Sequence, residues 1–288
     1  MFRALAEFIL RGRIQAIVAT LFGNLFPFIG PSAIALVSLA RGTTQSFWVF
    51  MWVSLPLMLL HYLNADNPLL IAISISSLGL MVVLGAVHQV LASWQWTILA
   101  ALTTSVLVAF SISFLMAASI NNLMEQIIVF LEEFSAMQGK TLQGATLSKS
   151  AMLGFVAMGL SLGSVISMMI ARWWQSLIYN PGGFQEEFHK FTIESKTTVV
   201  LVGVILLGML LPKESIYWIT LPTIPLLFSG IALLHFSVKH FQLGGHWLVL
   251  FYLSPLLFGA LVALLLMSLA IGDSFLDIRG RLLKYKNR

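Results

Sequence analysis

The charged residues of this chain are bunched, and the intervals between them are long and greasy. No Asp, Glu, Lys or Arg occurs in 14–40, 42–65, 67–124, 150–171, 197–212, 215–238 or 240–272. A helix needs about 20 mostly apolar residues to cross the hydrocarbon of a bilayer. The interval 67–124 holds two such lengths, with a break at Ser93-Trp94-Gln95-Trp96. Lipid offers no partner to an unpaired backbone group, so spans must be helices or the strands of a closed barrel. Nothing in the chain alternates with period two, which argues against the barrel. The pattern predicts an all-α fold: a polytopic transmembrane helical bundle of about eight spans, forming one domain over 1–288. Composition agrees, because only 9% of residues are charged and 59% are apolar, whereas soluble domains carry roughly a quarter charged. Lipid must cover much of such a surface.

The opening MFRALAEFILRGR has its charges late and no small-residue cleavage site. It reads as an interfacial helix over 1–13 rather than a secretion signal. The first apolar stretch, 14–39, contains Gly23-Asn24, Pro27 and Gly30-Pro31. Proline removes a backbone donor and clashes with the preceding turn, so this stretch reads as a span interrupted near mid-membrane. Broken helices expose backbone groups that can hold a solute, which makes Asn24 a candidate ligand contact; a simple kink is the plainer reading. Spans are expected near 46–63, 68–91 and 97–118. The polar stretch 119–150 follows. Its Leu123, Ile127, Phe130, Leu131 and Phe134 share a helical face away from Glu125, Glu132 and Glu133, the pattern of an amphipathic interfacial helix. Gly139 and Gly144 then loosen the chain.

The fifth span begins at Ala151. Its Gly159, Gly163, Ser167 and Ala171 recur every four residues as a smooth helix-packing ridge. Small residues let helix backbones approach in lipid, inside a bundle or across a homodimer. It leads into the densest polar set of the chain, a loop over 173–196. Arg172, Trp173, Trp174, Gln175, Tyr179 and Asn180 are candidate site residues there, followed by an Asn-Pro-Gly-Gly turn and the stripe Phe184, Phe188, Phe191. The plain reading is aromatic anchors and a turn; the functional one is a lid over a cavity. Later spans are expected at 197–211, 216–236 and 247–271, with a tight turn at Pro212-Lys213-Glu214. The basic tail 273–288 follows, in which Asp273 can cap a helix and Asp277 can pair with Arg281.

With eight crossings and the N-terminus inside, the basic residues divide eleven to five; if the first stretch crosses twice they divide eight to eight. The positive-inside bias therefore favours one crossing, both termini in the cytoplasm and the 173–196 loop outside. On that topology a cysteine at Gln185 reacts with an external impermeant reagent and one at Ser148 does not.

Motifs for chemistry are sparse. Cysteine is absent, which removes disulfide, iron–sulfur and thiolate-zinc chemistry. His235, His240 and His246 are not spaced to share a helix face, so no metal is expected, and no cofactor. No phosphate loop and no catalytic serine or carboxylate pair stands out, and no charge lies deep in a span. The basic end clusters suit lipid headgroups rather than nucleic acid.

Three segments, LAEFILRGR, RWWQSLIYNPGGFQEEFH and IGDSFLDIRGR, resemble the YybS-like family of bacterial membrane proteins over essentially the whole chain. The resemblance implies a bacterial cytoplasmic (inner) membrane protein. It also implies an architecture similar to the membrane substrate-binding subunits of energy-coupling-factor transporters. The expected function is a non-enzymatic small-molecule binding or transport component with a cavity near Asn24. The alternative is a scaffold that binds another membrane protein or itself as a homo-oligomer.

Overall fold

The computed structural model describes residues 1–63, 68–137, 148–212 and 215–286. All regular structure among them is helical. The helices run α1 (Phe2–Arg11), α2 (Arg13–Gly23), α3 (Ile29–Arg41), α4 (Thr43–Leu63), α5 (Pro68–Leu91), α6 (Trp94–Leu115), α7 (Ala117–Met137) and α8 (Lys149–Tyr179). They continue with α9 (Gly183–Lys190), α10 (Ser195–Gly208), α11 (Ile216–Thr220), α12 (Thr223–His240), α13 (His246–Phe258), α14 (Ala260–Leu276) and α15 (Ile278–Lys286).

Five segments are long and apolar enough to cross a membrane: Thr43–Leu60 of α4, α5, α6, α8, and Ile216–His240, which joins α11 to α12. Counting each bent pair, α9 with α10 and α14 with α15, as one span gives seven. The expectation of about eight spans fails at the first stretch. Helices α2 and α3 have 11 and 13 residues, about 17 and 20 Å at 1.5 Å per residue. Phe28 turns the chain between them with φ +67°, and they fold back on each other. A Cβ on Gly30 would lie 2.9 Å from the Asn24 nitrogen and 3.1 Å from the Thr20 carbonyl. At the open end Arg13 Nε donates to Gln45 Oε1 (2.8 Å), and the Arg41 guanidinium donates to the Leu10 carbonyl. The stretch expected to cross once is a hairpin that enters and leaves by the same end.

The expected last span also comes apart. Gly259, at φ +53°, separates α13 from α14. Tyr252 of α13 meets His235, and Ser274 of α14 accepts from Ser195 Oγ, so this pair too returns to its starting end. Between the two hairpins, α4, α5, α6, α8, α10 and α11–α12 traverse the bundle.

One end gathers α1, the base of the first hairpin, the α5–α6 turn, the last turns of α8, all of α9 and the C-terminal α15. Phe2 packs on Trp173 with ring centroids 5.3 Å apart, and Gln175 Nε2 donates to the Leu39 carbonyl at 3.0 Å. Gln95 Oε1 accepts from the Glu194 N–H at 2.7 Å. At the other end Trp218 Nε1 donates to the Ser150 carbonyl (2.9 Å) and stacks on Phe110. The segment 173–196, expected opposite the termini, therefore sits with both of them. Of the basic side chains described, Arg3, Arg11, Arg13, Arg41, Arg172, Lys190, Lys196, Lys239, Arg279, Arg281 and Lys284 belong to this end, and Lys149 to the other.

Helix α7 keeps Leu123 and Ile127 against the core, but Phe130 and Phe134 stack on each other facing outward. Gly139, Gly144 and the Lys213-Glu214 part of the expected turn lie outside the described residues. The C-terminal segment is no free tail. Arg279 and Asp273 are buried, with Nε 3.1 Å from Oδ2. Asp273, expected to cap the next helix, does not precede it, because α14 continues past it to Leu276; from inside α14 its Oδ1 still accepts from the Arg279 N–H (3.2 Å) in the first turn of α15. Arg279 also donates to the carbonyls of His189 (2.9 Å), Phe191 (2.6 Å) and Ser229 (3.3 Å). The side-chain cap is Asp277, which precedes α15 at φ +46° and whose Oδ1 accepts from the Gly280 N–H at 3.1 Å instead of pairing with Arg281 as expected.

Two predictions follow from these contacts. Gly30→Ala pushes a methyl into backbone that cannot yield and lowers stability by about 1–3 kcal/mol. Gly159→Ala has no atom within 4 Å to meet, and it is neutral or stabilising by up to about 1 kcal/mol through helix propensity. Thermal unfolding in detergent compares them. Arg279→Leu strands a buried carboxylate, and such losses cost about 3–5 kcal/mol; the melting temperature of Arg279→Leu should fall by far more than that of Arg281→Leu.

Candidate functional site

Helix α8 continues through Tyr179, so Trp173, Trp174, Gln175 and Tyr179 are helical rather than loop residues. Helical spacing then sends neighbours in different directions. Trp174 points inward and is fully buried, and its indole N–H has no partner. Tyr179 is exposed, and Asn180 belongs to the turn, where its carbonyl accepts from the Gly183 N–H at 2.9 Å. Arg172 and Gln175 face α3 and α9. Arg172 Nε donates to Glu187 Oε2 (3.0 Å), its Nη2 pairs with Glu187 Oε1, and its Nη1 donates to Gln175 Oε1 (2.9 Å). Nearby, Gln89 Nε2 donates to the Ser38 carbonyl (2.6 Å) and His88 Nδ1 meets Thr97 Oγ1 (2.9 Å).

His88, Gln89, Arg172, Gln175 and Glu187 border a cleft of about 510 Å³ together with Lys190. The hydrogen bonds just named run within the protein, tying α3, α5, α6, α8 and α9 together. The set expected to contact a ligand thus works as a brace. Asn24 is not part of it. Its N–H closes α2 by donating to the Thr20 carbonyl at 2.9 Å. The length of α3 separates it from the Arg172 end by about 20 Å. The expected joint site of Asn24 with the α8 aromatics does not form, because the hairpin turns back toward the basic end and leaves its tip far below.

That short hairpin leaves space beneath its tip. A cleft of about 360 Å³ is roofed by Phe28 and Pro31 and walled by Ile73 and Met81 of α5 and by Gly159, Gly163 and Ser164 of α8. The expected packing ridge is therefore half packed. Ser167 and Ala171 are buried, and the Ser167 carbonyl accepts from Ser32 Oγ at 3.1 Å. Gly159 faces open space, and a Cβ on Gly163 would meet only Phe28, at 3.8 Å. Ser164 and Ser167 border the cleft, but their hydroxyl oxygens are turned away from it, buried without a hydrogen-bond partner.

A second, mostly apolar groove of about 770 Å³ runs along the opposite flank of α8, between α8, α9, α12 and α13. Trp173 borders it. At its basic end His235 Nε2 lies 2.8 Å from the Tyr252 hydroxyl, and the His189 ring is 6.5 Å from that of His235. His189 sits on α9, which lies across the end of the bundle. Burial first, then the charges of Lys239, His235 and Arg279, push its imidazole down to about 4, so it is neutral at physiological pH. Sequence spacing set His235 beside His240 and His246, but folding brings it to His189 and Tyr252 instead. No sequence signal marks that meeting, which depends on α9 crossing over α12. Compared with protein-family models, with curated proteins and with solved structures, the chain has no match in any of the three.

Proposed function

We propose that this is a multi-pass protein of the bacterial cytoplasmic membrane, with both termini in the cytoplasm, that binds or carries a small apolar molecule. The cleft beneath the first hairpin carries the reading. Its volume of about 360 Å³ falls within the roughly 300–1,000 Å³ of ligand pockets. Two glycines hold its wall open, and its lining is almost wholly apolar, which matches an apolar molecule. Its described lining holds no titratable group, which suits binding rather than catalysis. The resemblance to YybS-like proteins, and through them to transporter substrate-binding subunits, points the same way. Orientation rests on the basic end, since Lys and Arg accumulate on the cytoplasmic side.

The open half of the ridge also favours a second reading, a scaffold. A transmembrane helix of another protein, or of a second copy, would seat its backbone against Gly159 and Gly163.

Native mass spectrometry of protein extracted in mild detergent separates the two. Under the first reading the wild type retains a small molecule of fixed mass. Gly159→Leu, which fills the cleft, loses it while keeping the wild-type melting temperature. A stoichiometric protein partner with no small molecule would favour the scaffold instead. For orientation, cysteines are placed singly at Ser148 and Gln185 and probed on intact cells with an impermeant reagent. Ser148→Cys should react and Gln185→Cys should not, the reverse of what span counting in the sequence predicts.

A further inference from the structure

The groove between α8, α9, α12 and α13 has the length of one leaflet and a polar end at the right height. Along α8 its lining runs from Leu162 to Leu177, about 22 Å at 1.5 Å per residue. Half of a hydrocarbon core is about 15 Å, so the groove reaches from mid-membrane to the headgroup level of the basic end. Its lower walls are apolar, from Leu162 and Met169 on α8 and Phe228 and Ile231 on α12. All of its titratable groups are at the upper end: His189, His235 and Tyr252. Lys239, exposed on the last turn of α12 one turn beyond His235, adds positive field at His189, whereas the Arg279 guanidinium is balanced by Asp273. No carboxylate lines the groove; Glu187 turns to the other side of α9 to meet Arg172.

We infer that this groove holds one bilayer phospholipid with an anionic headgroup, its acyl chain along α8 and its phosphate beneath α9. A transmembrane helix would have to cross both leaflets, and the groove ends halfway down α8. A neutral lipid would gain the apolar walls but leave the positive field uncompensated. The imidazole N–H groups of His189 and His235 and the Tyr252 hydroxyl are donors suited to phosphate oxygens, and Lys239 supplies the countercharge. The site is separate from the cleft beneath the first hairpin, and it stands or falls independently of the ligand proposed there.

The test uses full-length protein in an uncharged detergent. Phosphatidylglycerol and phosphatidylcholine with identical acyl chains are titrated, and the rise in melting temperature is read. On wild type, phosphatidylglycerol should act at about fivefold lower concentration, the effect of roughly one basic residue near a headgroup. Lys239→Gln should bring the two lipids together. Lys284→Gln removes an equal charge from the same end away from the groove and should keep the preference. Ile231→Trp, or Met169→Trp if that variant does not fold, should abolish the rise for both lipids. Glycerol phosphate, which has no acyl chain, should give none. Equal potency of the two lipids on wild type would overturn the inference. So would an equal loss in Lys239→Gln and Lys284→Gln, which would mean diffuse surface charge, or a rise produced by glycerol phosphate alone.

Discussion

Close backbone approach through small side chains holds this bundle together. In hydrocarbon a helix gains little by hiding leucine from lipid, so tight fits must come from van der Waals contact at short range. Gly23 and Gly30 let α2 and α3 touch backbone to backbone, and Gly230 does the same for α12 against the Leu266 carbonyl of α14. Gly85 receives the Ser38 side chain, and Gly154 receives Tyr217 and Trp218. Each of the two hairpins has one arm fastened at such a point. A β-carbon at these positions would separate the helices and leave the half-length arms without support.

Polar chemistry is concentrated where the helices end. At the basic end, Arg172 with Glu187, Gln175 with Leu39, Gln89 with Ser38 and Gln95 with Glu194 fix the order of the helices. Such bonds are strongest where water is scarce, and an unmade one is costly there. The buried pair of Asp273 and Arg279 is the extreme case. Desolvating two charges is expensive, and it is offset only because the guanidinium also reaches three carbonyls. That arrangement anchors the C-terminal helix to the α9–α10 connection and to α12.

The two clefts arise from this architecture. Hairpin arms that stop halfway cannot fill the full depth between spanning helices, and the cleft under Phe28 is the space left over. The larger groove exists because α9 lies across the bundle end rather than continuing into α10, at a bend of 68°. One cleft is almost wholly apolar in its described lining, and the other ends in two imidazoles and a phenol. They therefore suit different occupants.

Periodicity, the lack of charge and the glycine and proline positions were enough to determine an all-helical chain with several helices long and apolar enough to cross a membrane, an amphipathic α7 and a break near Asn24. These are local properties, set by solvent and backbone within a few residues. Hydropathy cannot tell a helix that crosses from one that returns, because both bury the same apolar residues in the same lipid. Hence 14–39 and 247–271 read as spans, and the reading of 14–39 as one crossing put 173–196 at the end opposite the N-terminus. The direction of each side chain at the end of α8 was likewise out of reach, since it depends on how far that helix continues. Only tertiary structure decided that Arg172 braces, that Gly159 stays open, that Arg279 is buried and that His189 meets His235. Each of these depends on contacts between segments far apart in the chain, which no local pattern encodes.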